Sequence, residues 1–78
     1  MDKILEILEE LRPEFDFQES DNFIEDGYLD SFDIITLVSE IEEKYNVSIK
    51  GLDIVPENFE TVETIIKLIR KSGGVVNS

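Results

Sequence analysis

The sequence predicts an all-α fold: a small four-helix bundle of three long helices and one short one, with a long loop between helices 1 and 2. Three observations predict it. Apolar residues recur at helical spacing in three separate segments. Capping and breaking residues (Pro13, Asp30, Asn46, Thr61, Gly73) stand at the ends of those segments. The chain shows no strand alternation, internal repeat or low-complexity tract.

In residues 2–12, Ile4, Leu5, Leu8 and Leu11 share one stripe with Ile7 beside it, and Pro13 ends the run because the residue before a proline is biased away from helix. Residues 13–30 mix Pro, Asp, Asn, Ser and Gly with aromatics. A loop of this length in a compact domain is usually functional or disordered. Phe15, Phe17, Phe23 and Ile24 predict an ordered one, pinned onto the core. Helix 2 starts at Asp30 or Ser31, with Asp30 as N-cap and Asp33 in the positive first turn, and runs to about Tyr45. Lys50-Gly51 begins a second loop, and Pro56-Glu57-Asn58-Phe59 predicts one short helical turn. Thr61 caps a last helix in which Val62, Ile65, Ile66 and Ile69 face the core, Lys67, Arg70 and Lys71 complement the dipole, and Gly73-Gly74 ends it. Residues 1–78 read as a single domain, with 72–78 a frayed tail.

The chain has 78 residues and neither histidine nor cysteine, so its small core must rest on helix packing without disulfides or a metal cage. A calcium loop over residues 22–33 fails, because aligning Gly27 with the required glycine puts Ile24 at a ligand position. No metal site is expected. Absent cysteines fit a reducing compartment. No apolar run approaches the roughly 20 residues that span a bilayer, and Met1-Asp2-Lys3 opens straight into a helical pattern rather than a signal peptide. A cytoplasmic monomer is expected. Nineteen acids against seven bases give a net charge of −12, which argues against nucleic acid and anionic membranes as partners. It suits proteins with basic patches, reached by fast, salt-sensitive association; solubility alone is the blander account.

Setting Ser31 at 0° and stepping about 100° per residue divides helix 2 into sectors. Ile34, Leu37, Val38, Ile41 and Tyr45 form the core stripe, and Asp33, Glu40 and Lys44 lie beside or opposite it. Phe32 and Ile35 belong to neither; they cluster with Ser31, Ser39 and Glu42, flanked by Glu43. Either Phe32 tucks under the long loop and Ile35 is a stray exposed residue, or Ile35 forms an apolar contact ringed by acids, suited to a partner with a basic rim, and Phe32 could serve either purpose. Ser31 has no imidazole to activate it and no thiol beside it. No base–nucleophile pair and no glycine-rich phosphate loop is visible, so the chain is not expected to be an enzyme. Ser31 then reads as an attachment point at a helix N-terminus, where free N–H groups favour an anion; locally, Asp30-Ser31 is equally a plain helix cap.

Asp30-Ser31-Phe32-Asp33, the run from Leu37 to Ile49, and Phe59-Glu60-Thr61-Val62 together resemble the acyl carrier proteins, the phosphopantetheine-bearing carrier domains. The resemblance covers the chain from the first helix to Ile69. It implies that Ser31 carries a 4′-phosphopantetheine arm, derived from coenzyme A and added by a phosphopantetheinyl transferase, with Asp30 at the modification site. The arm's thiol would hold acyl groups as thioesters for delivery to synthases and acyl-transferring enzymes with basic docking patches. Asp33, Ile35, Glu42 and Glu43 match the docking positions, with Ser39 on the same face. Phe32 replaces the commoner Leu, and Thr36 and Ser39 stand where an acid and a bulky apolar residue are frequent. The Leu29–Phe32 run is closer to stand-alone carriers such as the D-alanyl type. Fatty-acid, polyketide, amino-acid and specialised cargoes remain open. The rival is an unmodified acidic helical interaction module.

Overall fold

Three amphipathic segments fold as α-helices in the computed structural model, which describes residues 2–76: α1 (Asp2–Leu11), α2 (Ser31–Tyr45) and α3 (Val62–Lys71). Single 3-10 turns occupy Phe17–Glu19, Gly51–Asp53 and Pro56–Phe59, and no strand occurs among the described residues. The short element expected at Pro56–Phe59 is therefore a 3-10 turn, one of three, with Pro56 at its start.

α1 buries Ile4, Ile7 and Leu8 against the rest of the core, while Leu5 and Leu11 are only half-buried. Ile7 thus belongs to the core stripe rather than beside it, because α2 packs along that side of α1. Pro13 follows the last helical hydrogen bond, Arg12 N–H to the Leu8 carbonyl at 2.9 Å.

The long connection, which includes the 3-10 turn at Phe17–Glu19, packs through its aromatics. Phe17 and Phe23 are buried and meet edge to face at 5.1 Å between centroids. Phe15 stacks on Tyr28 at 4.4 Å, and Tyr28 also abuts Phe17. The backbone is tied as well as the side chains: Phe23 donates to the Glu60 carbonyl at 2.8 Å, joining the connection to the segment that precedes α3. Asn22 Oδ1 accepts from the N–H groups of Ile24 and Glu25, a local turn that replaces helical hydrogen bonds.

α2 contributes Ile34, Leu37, Val38 and Ile41 to the core, and α3 contributes Ile65, Ile66, Leu68 and Ile69, with Phe59 sealed between them. Thr61 and Thr64 form a reciprocal capping box at the start of α3. At its end Gly73 takes a left-handed φ of 96°, and Gly74 donates back to the Ile69 carbonyl at 2.8 Å. The frayed tail expected from residue 72 is corrected over the described part. Val76 is only 7% exposed and packs on the core, and its carbonyl accepts from Arg70 Nη2 at 3.0 Å. The turn at Gly73-Gly74 redirects the chain inward, so an apolar residue ends on the core rather than in water. Asn77 and Ser78 lie outside the described residues.

Candidate functional site

Leu29 is buried and anchors the end of the long connection, so the first turn of α2 begins from a fixed point. Asp30 then caps the helix: its Oδ1 accepts the Asp33 N–H at 2.9 Å, while Asp33 Oδ2 accepts the Asp30 N–H at 3.2 Å. This box encloses Ser31 and Phe32. Both of their side chains face solvent, Phe32 with 76% of its surface exposed. Ser31 is thus an accessible hydroxyl on the first residue of a braced helix.

Asp33 departs from the sequence expectation. It was expected on the solvated face and among the partner-docking acids; it is 5% exposed. The reason lies outside its own helix. Arg12, one residue beyond α1, covers this edge: its Nε donates to Asp33 Oδ2 at 3.0 Å, and its Nη2 forms an ion pair with the same oxygen at 2.9 Å. The same guanidinium reaches Glu14 at 3.2 Å and stands 3.8 Å from Asp30 Oδ2. The hydrogen bond to Asp33, then that to Glu14, raises Arg12 further above its already high value. Asp30 is held below the usual carboxylate range, first by the Asp33 N–H and, against some desolvation, by the charge of Arg12. Both acids flanking Ser31 are therefore occupied with the helix start and with Arg12, and neither is arranged as a base for the serine.

On the other side of Ser31 lies a shallow hollow of about 170 Å³, lined by Ser31, Ile34, Ile35, Ile54 and Pro56. Ile35 is 64% exposed at its rim, and Leu52, on the neighbouring 3-10 turn, is 92% exposed. Ser39 and Glu43 are exposed along the same face of α2. Glu42 is half-buried and its Oε2 accepts the Ile49 N–H at 2.9 Å, so it also closes the segment after the helix. Ser31, Ile35, Ser39, Glu42 and Glu43 occupy one side of α2, spanning roughly 18 Å at 1.5 Å per residue.

Sequence reasoning missed Arg12, Ile54 and Pro56 around this serine. Ile54 and Pro56 sit more than twenty positions away without periodicity to mark them. Arg12 did carry a signal: a lone cation just before a proline, in a strongly acidic chain. Among the described residues no cluster of candidate metal ligands occurs, and no helix is long and apolar enough to cross a membrane.

A family model described as the phosphopantetheine attachment site matches residues 2–69. The chain is also similar to a protein named acyl carrier protein from Phytoplasma australiense, 44% identical over 50 residues. That match spans 64% of this chain and 63% of the relative, so the chain spans less than two thirds of the curated relative's length. No solved structure gives a significant match.

Proposed function

The chain belongs to the phosphopantetheine attachment site family, and on that premise we propose that it is an acyl carrier protein, a carrier and not an enzyme, bearing 4′-phosphopantetheine on Ser31. The observation that carries this is the setting of Ser31, exposed on the first residue of a capped helix, with ionised groups on one side and an apolar hollow on the other. When bound, the arm supplies the thiol that the sequence lacks and holds acyl groups on it as thioesters.

The residues present fit such a group. Ser31 offers a free-standing hydroxyl at a helix N-terminus, where the macrodipole favours a phosphodiester. Asp30 stays ionised because its carboxyl is held below the usual range. Next to a phosphate that charge is unfavourable, so its role is with the transferase, where it would help to position a metal-bound coenzyme A. Ile34, Ile35, Ile54 and Pro56 offer an apolar wall to the first atoms of the arm.

Partner enzymes would dock on the exposed face of α2, with Ile35 and Phe32 as the apolar contact and Ser39, Glu42 and Glu43 meeting a basic rim. Those partners are a phosphopantetheinyl transferase and acyl-transferring or synthase enzymes, met by a cytoplasmic monomer. We read residues 2–76 as one carrier domain, with Pro56–Phe59 as the short member of a four-helix arrangement; a single contiguous core supports this.

The test is intact-mass measurement after incubation with coenzyme A and a broad-specificity phosphopantetheinyl transferase. The chain gains the mass of one phosphopantetheine group, and Ser31→Ala abolishes the gain. No gain with several competent transferases would leave the unmodified interaction module, which the exposed Phe32, Ile35 and Leu52 would also serve.

A further inference from the structure

Asp33 is the one charged residue that is buried among the described residues, and its cationic partner Arg12 has no part in the carrier role as proposed above. Three nitrogens converge on Asp33 Oδ2: the Asp30 N–H and Arg12 Nε donate hydrogen bonds at 3.2 Å and 3.0 Å, and Arg12 Nη2 stands in an ion pair at 2.9 Å. The bond from Nε is charge-assisted, the stronger kind of hydrogen bond. Arg12 is itself held, because its N–H makes the last backbone hydrogen bond of α1 and Pro13 fixes the chain beyond it. The end of α1 is thereby fastened to the first turn of α2 through a single carboxylate oxygen. That oxygen also closes the ring of atoms around Ser31.

We propose that Arg12 is a positioning residue for the modification of Ser31: acting through Asp33, it keeps the capping box shut and presents the serine to the transferase in one geometry. The proposal rests on the attachment reading of Ser31. Without the guanidinium, the Asp33 carboxylate would be buried with only one N–H donor, and it would turn toward water. That opens the box and lets the first turn fray. Lysine cannot replace arginine fully, since one ammonium cannot reproduce the planar guanidinium that sets both Nε and Nη2 against the same oxygen.

Simple electrostatics predicts the opposite sign, which makes the idea testable. A partner with a basic rim is repelled by Arg12, so removing this cation should help docking. A positioning role predicts slower chemistry instead. Modification rates of Arg12→Gln and Arg12→Lys are measured by intact mass, at saturating coenzyme A and varied carrier concentration, below both melting temperatures. Expected for Arg12→Gln is a kcat about tenfold lower, the scale of losing one charge-assisted hydrogen bond, with a KM for the carrier that is unchanged or lower. Arg12→Lys recovers part of kcat, and it keeps the test alive if the glutamine variant does not fold. Amide hydrogen exchange at Phe32, Asp33 and Ile34 quickens in the variants while that of α3 does not. A kcat equal to or above wild type in the folded variants overturns the proposal, whatever the exchange shows. Absence of any mass gain in the wild-type chain overturns the attachment reading and the positioning role together, whereas wild-type gain with undiminished variants removes the positioning role alone.

Discussion

Asp33 and Ile35 stand two positions apart on α2, and their environments are the reverse of what side-chain polarity suggests: the carboxylate is buried and the isoleucine exposed. Each is explained by what lies opposite. Arg12 supplies Asp33 with a charge-assisted hydrogen bond and an ion pair, whereas nothing in the described chain covers Ile35 beyond the rim of the hollow. Ile35→Glu is therefore expected to leave the melting temperature nearly unchanged, as at other surface sites. It should weaken use of the loaded carrier by partner enzymes on the order of tenfold in KM. Loss of the fold would instead identify Ile35 as a core residue. Asp30 carries the pH dependence at this scale. Its carboxyl is held below the ordinary value, near 3.9 for aspartate, chiefly by the Asp33 N–H. A depressed folded-state value stabilises fully above the ordinary one, and the contribution is lost as pH falls from there through the folded value. Asparagine caps comparably but does not titrate in this range. Thermal melts should therefore show wild type losing ground to Asp30→Asn below about pH 4, while their difference stays constant from about pH 5 upward. Parallel curves throughout would refute this.

At the scale of elements, the caps were legible because each is a local arrangement. Asp30 with Asp33, Thr61 and Gly73 all do at the helix ends what residues of their type do in short peptides. Periodicity also identified Ile34, Leu37, Val38 and Ile41 as the core residues of α2, whereas Tyr45, read into the same stripe, is only half-buried at the helix end. It placed Ile7 beside the stripe of α1 and passed over Leu68, because a hydrophobic face has edges that only a neighbouring element defines. In the connection between α1 and α2 the packing of the phenylalanines was legible, but Tyr28 as the hub of that cluster was not. After α3 the chain turns inward at Gly74, where an added Cβ would lie 2.5 Å from Ile69 Cγ2 and 2.8 Å from Val47 Cγ1. Gly74→Ala must push these groups apart and should cost about 1–3 kcal/mol, read as a lower urea midpoint with an unchanged slope. An unchanged midpoint would mean that the turn relaxes without loss.

The whole molecule carries a net charge of −12, and several of its seven cations are used at close range: Arg12 on Asp33 and Glu14, Lys71 on Asp53 at 2.9 Å, Lys3 over the Tyr45 ring at 5.8 Å. The remaining acids repel one another, and at low ionic strength, where the screening length reaches about 30 Å, that repulsion extends across the whole 29 × 25 × 18 Å molecule. Raising monovalent salt, or adding magnesium, is thus expected to raise the melting temperature. Unchanged or lower melting in salt would show that the ion pairs outweigh the repulsion. The all-α class, the caps, the core face of α2, the acidity and the serine at a helix start are all properties of short stretches of chain, and sequence alone carries them. Folding decided the rest. The pairing of Arg12 with Asp33, the hollow that brings Ile54 and Pro56 to Ser31, and the return of Val76 to the core join residues far apart in the chain or across a turn. Periodicity reports which side of a helix is apolar, but the partner at each edge is set by where the other helices come to rest.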